Sequence, residues 1–91
     1  MALVKVPGML RPLVGGERVV KTPGDTLREV LRNVEVAHPA FAGQVLDPQG
    51  VLRSYVNIYV NDEDVRYLQG LDTQVLDGDS VSVLPAVAGG E

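Results

Sequence analysis

The sequence predicts an α+β fold in which a mixed sheet of four to five strands wraps around one main helix. Runs of alternating apolar and polar residues indicate strands near both ends of the chain and at residues 53–60. An apolar stripe at helical spacing indicates one amphipathic helix, which needs one sheet face to cover it. The 91 residues, of which 45% are hydrophobic, suffice for one modest core and one domain.

The first two strands are predicted to form an N-terminal β-hairpin from residues 2–6 and 17–21. A Pro-Gly pair at residues 7–8 interrupts the first strand, which residues 9–10 could resume after a kink. Residues 13–16 end in two glycines and are expected to turn the chain into the second strand.

Residues 25–29 carry the signature of a helix start. Thr26 and Glu29 have the spacing of a capping box, in which each side chain satisfies a backbone N–H of the first turn, and Asp25 is the competing cap. The apolar stripe repeats at i, i+3, i+4 and i+7, at Leu27, Val30, Leu31 and Val34. His38 followed by Pro39 ends the pattern, because the residue before a proline disfavours helical geometry.

A loop is predicted at residues 40–52, between the helix and the next strand. Phe41, Val45 and Leu46 are available to attach this loop to the core. Residues 47–50, Asp-Pro-Gln-Gly, are a strong turn signal.

The clearest strand is residues 53–60, in which apolar and polar side chains alternate. The two predicted faces carry Val56, Ile58 and Val60 toward the core, and Tyr55, Asn57 and Tyr59 away from it. A polar turn at 61–64 follows, and a tight Asp-Gly-Asp turn at 77–79 precedes the last strand, residues 80–84. In that strand Val81 and Val83 are expected to face inward.

These elements occur in the order strand, strand, helix, strand, irregular segment, strand. Because one helix joins an N-terminal hairpin to later strands, a sheet wrapped around that helix is the natural closure. This arrangement is the β-grasp, or ubiquitin-like, fold. We predict a β-grasp domain at residues 1–84 and a flexible C-terminal diglycine tail at residues 85–91.

Composition excludes several classes of function. The net charge is −4 with no basic run, which argues against nucleic-acid and anionic-membrane partners. The chain has no cysteine, so disulfides, thiolate nucleophiles and Cys-based metal sites are excluded. We found neither a signal-peptide pattern nor an apolar run long enough to cross a membrane, and we expect a cytoplasmic protein.

No catalytic residue and no metal site is predicted. His38 is the single histidine, and a histidine beside a proline at a helix end is usually structural. The acidic residues 62–64 lack the spacing and the glycine of a calcium loop, and Asp77 and Asp79 are better interpreted as turn formers.

The C-terminal tail is the stretch that packing does not explain. Pro85 is expected to stop the last strand, and the small residues that follow end in Gly89, Gly90 and Glu91. Glycines give a thin backbone that can thread a narrow channel, which suits a terminus whose carboxylate is the reacting group. The alternative is an idle tail, because chain ends are often glycine-rich and tolerant of change.

Two sets of residues are candidates for recognition by a partner. Leu84 and Val87 flank Pro85, and an enzyme that uses the tail must grip it there and at Gly89. Tyr55 and Tyr59 form a possible docking face, because tyrosine is favoured at interfaces. The alternative for these tyrosines is that they cover the sheet or the loop at residues 40–52.

The chain resembles the MoaD/ThiS-type sulfur carriers, which are ubiquitin-like proteins. The resemblance is carried by Gly-Asp-Thr-Leu at 24–27, by Leu-Asp-Gly-Asp-Ser-Val at 76–81 and by Pro-Ala-Val-Ala-Gly-Gly at 85–90. The strand and turn Tyr-Val-Asn-Ile-Tyr-Val-Asn-Asp-Glu-Asp-Val-Arg at 55–66 is similar to the branch that carries sulfur for cysteine biosynthesis in actinobacteria, the CysO branch.

This resemblance implies a carrier rather than an enzyme, with no cofactor bound to the chain itself. An E1-like adenylyltransferase/sulfurtransferase would use ATP to adenylate the Gly90 carboxylate, and a sulfide source would convert it to a thiocarboxylate. In the cysteine branch, the further partners are a PLP-dependent cysteine synthase-like enzyme that accepts the sulfur and a zinc metalloprotease that releases the product.

The sequence departs from the active form of these carriers at Glu91, which follows Gly90. With Glu91 attached, the Gly90 carbonyl is an amide, so our hypothesis is that a carboxy-terminal protease removes Glu91. Alternatives to this function are the small subunit of molybdopterin synthase, a ubiquitin-like protein modifier, an inactive relative, and a β-grasp binding module with an idle tail.

Overall fold

The computed structural model describes residues 1–85, which contain five strands and one α-helix. The elements are β1 Ala2–Lys5, β2 Val19–Thr22, α1 Leu27–Ala37, β3 Val56–Val60, β4 Glu63–Asp64 and β5 Ser80–Pro85. Short 3-10 segments occur at Gly8–Val14, Pro39–Phe41, Val65–Tyr67 and Gly70–Asp72. The predicted mixed sheet with one main helix is confirmed.

The five strands form one sheet in the order β2-β1-β5-β3-β4. β1 and β5 run parallel, and the other neighbouring pairs are antiparallel. The last strand is therefore the middle strand of the sheet, with two strands on each side. Because its end is the root of the C-terminal tail, this order sets where the tail leaves the domain.

The first two strands pair antiparallel as predicted, but the chain between them is not a simple turn. Gly8–Val14 forms a 3-10 segment with Pro12 inside it, so residues 9–10 do not resume the first strand. Leu10 and Val14 of this segment are buried in the hydrophobic core. Burial of these two apolar side chains therefore determines the path of the connection.

The capping box at the start of α1 is present in a shifted form. Thr26 is the N-cap, and its Oγ1 accepts a hydrogen bond from the Glu29 N–H at 3.3 Å. The Glu29 carboxylate accepts from the Asp25 N–H at 3.0 Å, one residue before the N-cap. Asp25 thus contributes its backbone rather than its side chain, and the helix ends at Ala37, before His38 and Pro39, as predicted.

The hydrophobic core lies between α1 and one face of the sheet. Four helix residues are fully buried, as the stripe predicted: Leu27, Val30, Leu31 and Val34. Val56, Ile58 and Val60 of β3 face them from the sheet, together with Val81 and Val83 of β5. The loop after the helix contributes Phe41, Val45 and Leu46, which are also buried, so this loop belongs to the core.

Two turns fix the register of the last strands. β3 and β4 are joined by Asn61 and Asp62, both with positive φ (51° and 71°), the geometry of a type I′ hairpin turn. Gly78, with φ 86°, allows the tight turn before β5, in which the Asp79 N–H donates to the Leu76 carbonyl at 3.0 Å. The Asp79 carboxylate accepts from the Leu76 N–H at 2.8 Å and closes the turn.

The Asp79 carboxylate makes the fold sensitive to acid. Hydrogen bonds from the Asn61 side chain and the Leu76 N–H lower the pKa of Asp79. A lowered pKa in the folded state adds stability that is complete above the unfolded pKa of about 4 and is lost as the pH falls through the folded pKa. We expect Asp79→Asn to flatten the fall in unfolding free energy below about pH 4, measured by urea denaturation at several pH values. An unchanged slope would contradict this role.

Candidate functional site

The tail begins at the end of the middle strand of the sheet. Pro85, the last residue of β5, lies opposite Val56, and Leu84 lies opposite Asn57. The predicted strand ended at Leu84; Pro85 extends it by one residue, a position that tolerates proline because it is the end of the strand. Leu84 is 49% exposed, although it is a large apolar residue, so it is available to a partner at the root of the tail.

The sheet face opposite the core, which we call the outer face, carries Leu84 and its neighbours in rows across the strands. One row crosses four strands through Val19, Lys5, Ser82 and Tyr59 and reaches Asp64 of β4. The next row, at the tail root, contains Leu84 and Asn57. Lys5 and Lys21 lie at the β1–β2 side of the outer face, and Asp64 lies at its β4 side.

The two tyrosines of the predicted docking face occupy different settings. Tyr55 precedes β3 and is exposed, next to Val56, which pairs with Pro85. Tyr59 lies inside β3, is half-buried and pairs with Asp64 and Ser82 on the two sides. Tyr55 is therefore the tyrosine beside the tail root, whereas Tyr59 belongs to the middle of the outer face. Their role in docking remains a prediction.

An ion pair stands at the β4 side of the outer face. The Arg66 guanidinium contacts both carboxylate oxygens of Asp64, with the shortest N–O distance 2.7 Å. This side-chain contact, with the Arg66 N–H donating to the same carboxylate, lowers the pKa of Asp64. The pair holds the start of the segment Val65–Tyr67, which leaves Tyr67 exposed beside it.

Four of the predicted site residues, Val87, Gly89, Gly90 and Glu91, lie outside the described residues. For these residues the sequence is the only basis for assigning roles. The structure shows where the chain that leads to them starts: at the end of β5, beside Leu84 and Tyr55.

The remaining candidates have structural roles in the fold. His38 is the C-cap of α1, where its N–H donates to the Val34 carbonyl at 2.8 Å. Within residues 1–85, no group of three or more histidine or acidic side chains is arranged to hold a metal ion. In the same part of the chain, no helix has the length and apolar character that a membrane span requires.

The sequence analysis missed Lys5 and Ser82 as members of the surface at the tail root. The strand order was needed to see that β1 lies directly beside β5. The signal available was the hairpin followed by a helix, since a crossover that returns to the same sheet commonly makes strands parallel.

Comparison with known proteins shows the family of this chain. The model of the ThiS family matches residues 4–90. The sulfur carrier protein CysO of Mycobacterium tuberculosis is 49% identical over 89 residues, 96% of each chain. The small archaeal modifier protein 3 of Haloferax volcanii is 37% identical over 82 residues, 88% of each chain.

Solved structures agree with this relationship. The crystal structure of M. tuberculosis CysO matches with a TM-score of 0.88 and 46% identity, over 96% of this chain and 100% of that one. The Amycolatopsis orientalis BexX/CysO complex contains a chain that matches with a TM-score of 0.91 and 41% identity, over 99% of this chain and 100% of that one. The β-grasp fold is thereby confirmed, the chain is a homologue of the sulfur carrier CysO, and it belongs to the ThiS family.

Proposed function

We propose that this protein is a sulfur carrier whose Gly90 carboxylate, after removal of Glu91, is adenylated and converted to a thiocarboxylate. The thiocarboxylate then donates its sulfur in the biosynthesis of cysteine or another thio-metabolite. The observation that carries the proposal is that the ThiS family match ends at Gly90, with Glu91 alone beyond it. The likeness to CysO over 96% of the chain supports the cysteine branch.

The chemistry needs partners, because the chain offers no nucleophile of its own for sulfur transfer. A carboxylate is a poor electrophile, whereas an acyl-adenylate is reactive because AMP is a good leaving group. Attack by sulfur displaces AMP and leaves a C-terminal thiocarboxylate, which is anionic at neutral pH and requires no neighbouring base. The partners we propose are an E1-like adenylyltransferase/sulfurtransferase using ATP and a sulfide source, a PLP-dependent cysteine synthase-like enzyme, and a zinc metalloprotease.

The fold supports a carrier on whose C-terminus partner enzymes perform the chemistry. The tail leaves from the middle of the sheet, so enzymes can approach it from the outer face while the helix side stays packed. The solved complex of a CysO with BexX supports recognition of such a carrier by a separate protein. Leu84 at the tail root is an exposed apolar contact that an approaching enzyme would cover.

Leu84→Asp is expected to weaken activation about 10- to 100-fold in kcat/KM, the loss typical of removing one well-buried interface contact. The measurement is ATP–pyrophosphate exchange with the activating enzyme, on a chain ending at Gly90. Val19→Asp is the matched control, because Val19 is 41% exposed on the same face but lies two strands from β5. Equal losses in both variants, with unchanged thermal unfolding, would show that Leu84 has no special place at the docking site.

A second function is favoured by one observation, the 37% identity to a small archaeal modifier protein. The same adenylated Gly90 could be transferred to lysines of other proteins. Mass spectrometry of cell extracts separates the two functions: diglycine-linked lysine adducts indicate a modifier, and a C-terminal thiocarboxylate indicates a sulfur carrier. A pull-down that retains a PLP-dependent enzyme would support the cysteine branch.

A further inference from the structure

The charged residues are distributed unevenly between the two ends of the sheet. β1 and β5 are parallel, and β2 and β3 run the other way, so β1 and β5 end where β2 and β3 begin. We call this the tail-root end, and we call the end at which β1 and β5 begin the far end. The segments at the tail-root end, residues 5–18 and 38–55, contain two carboxylates and four cations. The carboxylates are Glu17 and Asp47, and the cations are Lys5, Arg11, Arg18 and Arg53.

The far end is acidic. The segments at this end, residues 22–26 and 61–79, contain one arginine, Arg66, against seven carboxylates. The carboxylates are Asp25, Asp62, Glu63, Asp64, Asp72, Asp77 and Asp79. The net charge of −4 is therefore an average over an acidic end and an end with an excess of cations.

The ion pairs do not reduce this difference at the tail-root end. Arg28 pairs with Asp72 at 3.1 Å, and Arg66 pairs with Asp64, both on the side of the far end. The Met1 ammonium contacts Asp77 at the far end as well. Within residues 1–85, no ion pair includes a cation of the tail-root end, so these four cations are available to carboxylates of another molecule.

Three of the four cations converge at the end of β1. The Val6 N–H donates to the Arg18 carbonyl at 2.9 Å, and the Arg11 Nε donates to the Val6 carbonyl at 3.0 Å. Lys5 directly precedes Val6 and is exposed, as is Arg18. Lys5, Arg11 and Arg18 thus form one group on the β1 side of β5, with Glu17 as the neighbouring carboxylate.

The fourth cation lies on the other side of β5. Arg53 precedes β3 by three residues, and its Nε donates to the Gly43 carbonyl at 2.7 Å. Like that of Arg11, its guanidinium is therefore held by a bond to the backbone through Nε. A guanidinium that is already positioned loses less conformational entropy when it binds a carboxylate, and its planar fork suits a bidentate contact.

The separation of the two ends determines which charges a partner senses. β5 runs from Ser80 to Pro85, so its ends are about 17 Å apart at a rise of about 3.3 Å per residue. At an ionic strength of about 0.15 M the Debye length is about 8 Å, which is about half of that separation. A partner that approaches one end therefore senses mainly the charges of that end rather than the net charge of the chain.

We propose that the tail-root end is a docking surface for an acidic protein surface, the carboxylate-rich surroundings of the active-site entrance of the activating enzyme. This inference rests on the proposed function, which makes the tail-root end the side that faces that enzyme. Carboxylates of the enzyme pair with Lys5, Arg11, Arg18 and Arg53. Complementary charges of this kind raise association rates by about 10- to 1000-fold.

The same distribution of charge orients the carrier. An approach with the tail-root end leading is attractive to an acidic surface, whereas an approach with the far end leading brings like charges together. The acidic far end also keeps the net charge of the chain away from zero, which favours solubility. A chain that is acidic overall can in this way bind an acidic partner in one orientation.

Two double variants test the proposal. The first, Lys5→Gln with Arg18→Gln, removes two cations from the tail-root end. The matched control, Lys21→Gln with Arg28→Gln, removes the same residue types near the far end, where Lys21 lies opposite Leu3 and Arg28 pairs with Asp72. All four side chains are exposed, and the two variants have the same net charge, so a difference between them reports the position of the charge.

Biolayer interferometry with immobilised activating enzyme and the full chain measures the association rate constant. At an ionic strength of about 0.1 M we expect the tail-root variant to associate about fivefold more slowly than the unaltered chain, and the control within about twofold. At about 1 M, where the Debye length is about 3 Å, the deficit should fall below about twofold. Matching thermal unfolding curves show that both variants are folded.

Four results would overturn the proposal. Equal slowing of both variants would mean that only net charge matters, and an unchanged rate in the tail-root variant would mean that its cations are not used. Faster association of that variant would indicate a basic partner surface, and absence of any association would remove the partner. ATP–pyrophosphate exchange on a chain ending at Gly90 reports the proposed function separately: a chain that binds through these cations but is never adenylated would reject that function alone.

Discussion

The full chain is expected to remain unmodified when it is incubated with ATP, the activating enzyme and a sulfide source, whereas the same chain ending at Gly90 gains sulfur. In the full chain the Gly90 carbonyl is part of a peptide bond to Glu91, and an amide carbonyl oxygen does not attack ATP as a carboxylate does. Intact-mass spectrometry reads the difference as a sulfur-for-oxygen gain. The effect should be close to all-or-none, because only the chain that ends at Gly90 has a carboxylate on that residue; the carboxylate of the full chain is on Glu91, one residue further.

A matched variant separates the blocking bond from the charge of Glu91. Glu91→Ala keeps the peptide bond and removes the carboxylate side chain, so it should be as inert as the full chain. Treatment of the full chain with a metal-dependent carboxy-terminal protease should restore the reaction. A sulfur gain in the full chain with Glu91 still attached would refute the processing hypothesis.

Phe41→Ala is expected to destabilise the fold by about 3–5 kcal/mol, the range for truncating a buried aromatic residue. Phe41 is fully buried, although it lies in a short 3-10 segment rather than in a regular element. It contributes to the core from the loop between α1 and β3, so its loss would leave a cavity and loosen that loop. A domain of this size has a total stability of about 5–15 kcal/mol, so the variant would lose a large part of it.

Urea denaturation measures this loss, with Val36→Ala as the control. Val36 is a helix residue with 79% exposure, and its truncation should change the unfolding free energy by no more than about 0.5 kcal/mol. A loss below about 1 kcal/mol for Phe41→Ala would mean that the loop collapses onto the vacated space, against the packing described above.

Most of the fold could be predicted because local patterns and tertiary packing agree. The alternation in β3 and β5 identified which residues face the core, and the stripe from Leu27 to Val34 identified the buried side of the helix. The Thr26–Glu29 spacing left Thr26 and Asp25 as alternative caps, and Thr26 is the N-cap. In each of these elements, the spacing of the apolar or capping residues is compatible with only one secondary structure and one buried face.

The connection between the first two strands was wrong in the sequence analysis for a physical reason. Residues 9–10 are compatible with a strand by composition, and local preference alone does not favour the 3-10 segment Gly8–Val14. Burial of Leu10 and Val14 against the core decides its conformation. Tertiary contacts of this kind are not visible in a window of ten residues.

The candidate site was predictable in its chemistry but not in its surroundings. The diglycine end predicts Gly90 as the reacting residue from the residue types alone, and this assignment stays a prediction. The neighbourhood of the tail root depends on β1 lying beside β5, a pairing between residues that are more than 70 positions apart. Lys5 therefore gained significance only from the strand order.

The central claim is that sulfur is carried on the terminal carbonyl of Gly90. The most direct measurement is the intact mass of the protein purified from its native host, combined with fragmentation of the C-terminal peptide. We expect a chain that ends at Gly90 and carries sulfur in place of one carboxylate oxygen. Protein that keeps Glu91 on every molecule and carries no sulfur at its C-terminus, from cells that are actively making thio-metabolites, would contradict the account.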